Sequence, residues 1–321
     1  MPSIVAIDIG GTTVKLALVG VDDDPATPHQ ILLHDKCDTG PDDPGETMVA
    51  RMADAARRMI EKTGEKPVSV GVGCPGLIDN QRGVVVVSAN LPGLKNFPLA
   101  AAFERQLGLP TAIHNDAKAA MLGEYNFGPN KGCSNMVLLT LGTGVGGGVI
   151  TGGRLVTGPD NAATELGHVK VEYHAPALCG CGTRGCLEAY VGIAGIQRIA
   201  AATLAAHPVS TLKADQLTTK DLSEAARAGD ETAREVFLTV GHYLGRGIAH
   251  FTDIFTPERV VLAGGASRAT DLLMPGIHRA MLEHCSFDFT RERTRVLATD
   301  MPDDINVLGA AAVFLNAHKP T

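Results

Sequence analysis

Apolar positions along the chain alternate between short β-rich runs and stretches with helical spacing. Residues 3–9 (SIVAIDI) and 13–20 (TVKLALVG) read as two strands joined by a tight turn at Gly10-Gly11-Thr12. A loop beginning at Asp22–Asp24 leads to a third strand at 30–36. Met48, Met52, Ala55, Met59 and Ile60 then recur at helical spacing over 46–62, with Gly64 as the stop. The methionines read as core packing rather than as a cofactor-binding stripe. Next come strand 67–73, a Cys-Pro-Gly turn, strand 83–88, a loop over 89–97, a helix near 98–108 and a short strand at 111–114. Asn115-Asp116 stands directly before a helix over 117–126.

A second opening of the same kind follows, with an apolar strand at 136–141, a glycine loop and the apolar pair Val149-Ile150. Strand, Gly/Thr turn and strand thus occur near position 10 and again near 143, a weak internal symmetry that predicts two lobes on one plan. The stretch 158–190 is loop-rich. Beyond it, helices are expected at 192–206, 220–228, 231–252, 269–284 and 308–317, with strands at 259–263 and 294–298. The 321 residues agree with two domains. An apolar share of 45% against 20% charged permits a substantial core. No low-complexity linker separates the halves, so they are expected to share a rigid cleft.

Charge and cysteine usage narrow the partners. A net charge of −7 and a pI near 5.9 argue against nucleic acid and against anionic membrane surfaces. The densest basic stretch, Arg291–Arg295, is broken by Glu292 and reads as a solvated face. No apolar run approaches the ~18–20 residues of a membrane span. The N-terminus has no basic segment and carries an acid at position 8, unlike a signal peptide, so a cytoplasmic protein is expected. Seven cysteines are odd in number and too few for a disulfide scaffold.

The candidate chemistry lies in three places. Residues 141–153 (LGTGVGGGVITGG) hold Gly142, Gly144 and Gly147 in a formal G-x-G-x-x-G, yet the segment continues as strand instead of opening a helix. It reads either as an ordinary glycine-rich hairpin or as one whose amides approach an anion. DIGGTTVK at 8–15 favours the anion, offering a second turn with hydroxyls, an acid able to reach Mg²⁺ and a lysine. Gly264-Gly265 adds a third close-approach turn, suited to an adenosine. Together these point to a nucleotide.

Cys179, Cys181 and Cys186, with His168 eleven residues upstream, have the composition of a closed tetrahedral zinc shell. Free thiols and a catalytic zinc are the competing readings. A metal on one ring nitrogen of His168 leaves the other fixed in orientation, and Glu165 and Glu188 flank it as acceptors for a polyhydroxylated ligand. Asp116 reads either as a helix cap or as a carboxylate that accepts a hydroxyl proton during phosphoryl transfer.

Through DIGGTTVK (8–15) and ELGH (165–168) with CGCGTRGCLE (179–188), the chain resembles the ROK family of sugar kinases over essentially its whole length. GVGCPGLID (71–79), NLPGLKNFPL (90–99) and HNDAKAAMLGE (114–124) resemble the bacterial glucokinases within it. The resemblance implies an α/β, two-lobed actin/hexokinase-like (ribonuclease H-like) ATPase fold with an interlobe cleft. Residues 1–116 plus 308–321 are expected to form one lobe, and 117–307 the other, which carries the zinc loop 168–186. The resemblance further implies ATP-dependent phosphorylation of a hexose, glucose ahead of N-acetylmannosamine, N-acetylglucosamine or fructose.

It assigns roles by position. Asp116 is the catalytic base. Gly76 through its backbone, with Asn90, Asn115, Asp116, Glu165, His168 and Glu188, holds the sugar. Gly11, Thr12, Thr13, Lys15, Thr143 and Gly144 contact the ATP phosphates, Gly265 the adenosine side, and Asp8 assists Mg²⁺. His168, Cys179, Cys181 and Cys186 bind structural Zn²⁺. A homodimer or higher homo-oligomer is implied, with no nucleic-acid or membrane partner. A sugar-responsive repressor, which the family includes, needs a DNA-binding segment for which residues ahead of position 8 leave no room. A non-catalytic sugar-sensing module and a polyphosphate-dependent kinase are the remaining alternatives.

Overall fold

The computed structural model describes residues 2–21, 29–207, 210, 212 and 217–317, so the loop expected at Asp22–Asp24 lies outside the described residues. The elements run β1 (Ser3–Ile9), β2 (Thr13–Gly20), β3 (Gln30–Asp38), α1 (Gly45–Thr63), β4 (Ser69–Cys74), β5 (Leu77–Asp79), β6 (Val84–Val87), α2 (Leu99–Leu107), β7 (Thr111–Asn115), α3 (Asp116–Phe127) and β8 (Met136–Leu141). They continue with β9 (Val145–Thr151), β10 (Arg154–Leu155), α4 (Glu188–Val191), α5 (Ile193–Ala206), α6 (Thr219–Arg227), α7 (Glu231–Phe255), β11 (Arg259–Ala263), α8 (Thr270–His284), α9 (Asp288–Arg293), β12 (Arg295–Ala298) and α10 (Ile305–Ala317). The chain divides into two compact units, one built from residues up to Gly132, Leu155–Ala163 and from Asp303 on, the other from Cys133–Arg154 and Thr164–Pro302.

In the first unit the strand order is β3-β2-β1-β4-β7. β1 pairs antiparallel with β2, placing Asp8 opposite Lys15, and parallel with β4, which pairs parallel with β7. β1 and β4 are buried on both faces, which is why they read as unbroken small and apolar runs without alternation. On one face Val5, Ile7, Ile9, Val70 and Val72 pack with Met48, Met52 and Met59 of α1, so the methionine stripe is core. α1 stops where expected, at Gly64 in the left-handed region (φ 71°).

The other face carries α10. A Cβ on Gly71 of β4 would stand 1.9 Å from the Ala310 carbonyl oxygen, so the helix lies directly on the strand. α3 packs on α10 just as tightly, because a Cβ on Gly309 would come within 2.4 Å of the Ala119 carbonyl. That contact puts α3 in the first unit, so this unit reaches Gly132 instead of ending at 116, and its return begins at Asp303 instead of 308.

The second unit repeats the plan with the order β10-β9-β8-β11-β12. β8 is antiparallel to β9 and parallel to β11, and β11 is parallel to β12. Its longest helix, α7, meets α8 through glycines, since a Cβ on Gly276 would lie 2.2 Å from the Leu238 carbonyl. β5, β10, α4 and α9 were not expected, being too short to carry a period. Among the described residues, no helix is long and apolar enough to cross a membrane.

Candidate active site and metal centre

At the C-terminal ends of β1, β4 and β7 the first unit gathers most of its candidate residues. In the β1–β2 hairpin, the Gly10 N–H donates to the Thr13 carbonyl at 3.1 Å. Thr39 holds the turn from outside, its hydroxyl donating to the Gly10 carbonyl at 2.8 Å and its N–H to the Thr12 carbonyl at 3.0 Å. Gly11, Thr12 and Thr13 stay exposed, and nothing stands where a Gly11 side chain would be. Lys15 is exposed one step along β2. Two residues before the turn, Asp8 is 7% exposed, and Asn306 Nδ2 donates to its Oδ2 at 3.2 Å. Burial pushes the Asp8 carboxyl up to about 6, with Asp116 adding to the rise while Asn306 and Lys15 oppose it.

Asp116 opens α3, and the two readings of Asn115-Asp116 separate here. Asn115 is the cap: its side-chain oxygen accepts from the N–H groups of Ala117 and Lys118 at 3.1 and 3.2 Å. Its Nδ2 donates to the Gly76 carbonyl at 3.1 Å. Asp116 holds the first helical position, where its Oδ1 accepts from the Ala117 N–H at 2.9 Å. The two acids both adjoin Gly73, where a Cβ would lie 3.7 Å from Asp116 Cα and 3.8 Å from Asp8 Oδ1, with Ala119 Cβ at 3.5 Å.

Gly76 has φ 113° and its missing Cβ would meet the Val87 carbonyl at 2.2 Å, which draws residues 87–88 against it. Asn90 is exposed in the turn just beyond. Sequence reasoning passed over Lys118, 1% exposed, whose ammonium donates to the Asn161 carbonyl, while Asn161 Nδ2 donates to Asn80 Oδ1. The one local signal was a lysine inside the apolar run of α3.

The second unit holds the other hairpin. β8 runs through Gly142-Thr143-Gly144 into β9, as the failed dinucleotide context predicted, with the Gly142 N–H donating to the Gly144 carbonyl at 3.0 Å and Thr143 exposed. Gly264 (φ 83°) sits on the same hairpin, for its Cβ would fall 2.5 Å from the Leu141 carbonyl, while Gly265 faces open space. The turn Leu166–His168, preceded by the exposed Glu165, lies on the start of β9, where a Gly167 Cβ would be 2.0 Å from the Val145 carbonyl. Glu188 opens α4 and its Oε2 accepts from the Val145 N–H at 3.0 Å.

A small ribbon assembles the thiols. The Val171 N–H donates to the Gly185 carbonyl at 2.8 Å and the Leu187 N–H to the Val169 carbonyl at 2.9 Å, setting Cys186 near His168. A turn closed by the Cys179 N–H to the Thr183 carbonyl at 2.8 Å, with Gly182 at φ 84°, brings in the other two cysteines. His168 Nδ1 lies 3.8 Å from Cys179 Sγ, Cys181 Sγ lies 3.7 Å from Cys186 Sγ, and all four ligand atoms fall within 4.8 Å of one another. Tetrahedral Zn²⁺ with bonds of about 2.0–2.3 Å needs ligand atoms about 3.6–3.8 Å apart, so the donor set fits zinc.

Lys170 Nζ donates to Cys186 Sγ at 2.8 Å, offsetting the negative charge that three thiolates would bring. Hydrogen bonds from Thr183 pull the Cys181 thiol down to about 6, whereas burial pushes Cys179 up. A second His/Glu group, His242, Glu283 and His284, is more exposed, and its carboxylate is already engaged by Arg279 Nε at 3.0 Å.

Two sheets of one plan, each opening on a glycine hairpin, define an actin/hexokinase-like ATPase fold. A match to the ROK family spans residues 4–317, and the chain belongs to that family. It is 36% identical over 318 residues to a glucokinase of Thermotoga maritima, covering 97% of this chain and 96% of that protein. To an N-acetylmannosamine kinase of Shigella boydii it is 32% identical over 306 residues, covering 95% and 96%. The crystal structure of a ROK family glucokinase from Streptomyces griseus in complex with glucose and AMPPNP matches with a TM-score of 0.80 at 32% identity, covering 96% of this chain and 98% of that one.

Proposed function

We propose that the protein is an ATP-dependent hexose kinase that converts glucose to glucose 6-phosphate in the cytoplasm, as a homo-oligomer. The observation that carries the reading is the pair Asp8 and Asp116 at Gly73, beside an exposed amide-and-hydroxyl turn. Kinship with glucokinases at 36% identity over nearly the whole chain, and with a structure that holds glucose and AMPPNP, supports it.

In this mechanism the amides and hydroxyls of Gly11–Thr13 and Thr143–Gly144, with Lys15, receive the ATP phosphates, and Gly265 leaves room on the adenosine side. Asp8, held by the Asn306 amide, would be the residue that meets Mg²⁺ brought with ATP, and the ion would supply neutralisation of phosphoryl charge. Asn90, Asn115, the Gly76 backbone, Glu165, His168 and Glu188 hold the sugar hydroxyls. Asp116 accepts the proton of the attacking hydroxyl while its oxygen bonds to the γ-phosphorus and the bond to ADP breaks. Zinc, when bound, supplies no chemistry beyond fixing the thiol loop and the His168 ring.

The similarity to an N-acetylmannosamine kinase keeps that sugar as the second reading. ADP release with MgATP and glucose, fructose, N-acetylmannosamine or N-acetylglucosamine separates the two. Glucose is expected to give the highest kcat/KM, and a preference for an N-acetylhexosamine would correct the substrate.

A further inference from the structure

An acid beside a phosphate-binding turn is electrostatically unfavourable and calls for a reason. Glu188 is such an acid. Its Oε2 accepts from the Val145 N–H at 3.0 Å and lies flat on Gly144, where a Cβ would stand 2.4 Å away. The same hairpin is gripped nearby, for the Ile193 N–H donates to the Gly142 carbonyl at 3.1 Å and a Cβ on Gly192 would lie 3.0 Å from the Thr143 carbonyl. Glu188 follows Cys186 by two residues, and Leu187 between them is pinned to Val169 through its N–H at 2.9 Å. The other carboxylate oxygen, Oε1, lies 3.2 Å from Cys179 Sγ, which can donate to it only as a protonated thiol, so with zinc bound the connection runs through Leu187 and the backbone. Thiol loop, Glu188 and hairpin are therefore one connected structure.

We infer that Glu188 is a positioning residue for the hairpin Gly142–Val145, so that the thiol loop shapes the nucleotide site as well as the sugar site. This rests on the kinase reading. By taking the Val145 N–H, the carboxylate fixes the strand just past the turn and leaves the Thr143 and Gly144 amides for phosphate. A carboxylate has room for about four hydrogen bonds, so this duty does not prevent it from also meeting a sugar hydroxyl.

The test is binding of Mg-AMPPNP by calorimetry with no sugar present, with zinc content measured on each protein. Glu188→Leu, which removes the acceptor, is expected to weaken AMPPNP about tenfold or more. Glu188→Gln keeps a carbonyl oxygen for Val145 and is expected to stay within about twofold of the parent. A zinc-loaded Glu188→Leu protein that binds AMPPNP as the parent does overturns the inference.

A second measurement needs no variant: hydrogen exchange across residues 141–148 before and after zinc is chelated from the parent protein. Faster exchange at the hairpin on zinc removal is expected, and unchanged exchange contradicts the link. If the parent binds neither AMPPNP nor glucose, the kinase reading fails, while the exchange result still judges the connection between loop and hairpin.

Discussion

Asp8→Asn should make the ligand-free protein more stable, and by an amount that grows with pH. The carboxyl is buried, and burial raises it from an ordinary 3.8 to about 6, against the opposing help of Asn306 and Lys15. Asp116 and the buried Cys74 also face it, and neither offers it positive charge. A folded-state value above the unfolded one means that the folded protein binds this proton more tightly. Stability is therefore lost as pH rises from about 3.8 through 6, and none returns above that. At ~1.36 kcal/mol per unit, the full cost at pH 8 is about 3 kcal/mol, and at pH 5 about half of that.

Replacing the acid with a neutral amide removes the cost, so the variant gains up to about 3 kcal/mol at pH 8 and about half as much at pH 5. The assay is chemical or thermal unfolding of both proteins at the two pH values in magnesium-free buffer. At about 2–4 °C per kcal/mol for a unit of this size, the difference is readily resolved. An equal gain at both pH values, or a less stable variant at pH 8, would show that the Asp8 carboxyl does not carry this cost. The acid persists despite this cost because its proposed task is to meet Mg²⁺, a trade of stability for activity.

Gly71→Val should unfold the first unit or cost it at least about 3 kcal/mol, because the new Cβ alone would lie 1.9 Å from the Ala310 carbonyl and neither backbone has room to retreat; denaturant midpoints check it. Cys181→Ser should lower zinc content below one per chain and leave residues 168–186 open to proteolysis, since that loop has little core of its own. Full zinc occupancy in that variant, by metal analysis, would contradict the assigned ligand set.

How much of this was legible along the chain depended on how local each signal was. β1, β4, β8 and β11 were readable because strands buried on both faces have continuous small and apolar sequences. α1 was readable because its methionines keep a helical period, whereas α4 and β10, at four and two residues, have no period to show. The thiol cluster was legible because three of its four candidate ligands lie within eight positions, with glycines between them that let the chain turn tightly.

Asn115 and Asp116 were not separable by residue type, since either can cap a helix, and only the backbone shows which one does. The chain from Lys118 to Asn161 to Asn80 was invisible because its members lie 43 and 81 positions apart. The extent of the first unit was misplaced for a related reason: α3 belongs with α10, through Gly123 and Gly309, and glycines give no sign of what they approach.

In the proposed reaction, Asp116 accepts the proton of a glucose hydroxyl as that hydroxyl attacks ATP. The most direct test of this step follows glucose and MgATP by phosphorus NMR with the parent protein and with Asp116→Asn. The parent is expected to give glucose 6-phosphate and ADP in equal amounts, and the variant a kcat lower by about 10²–10⁴-fold with its affinity for AMPPNP unchanged. Parent-like turnover by Asp116→Asn, or ADP formed without a sugar phosphate, would contradict this role.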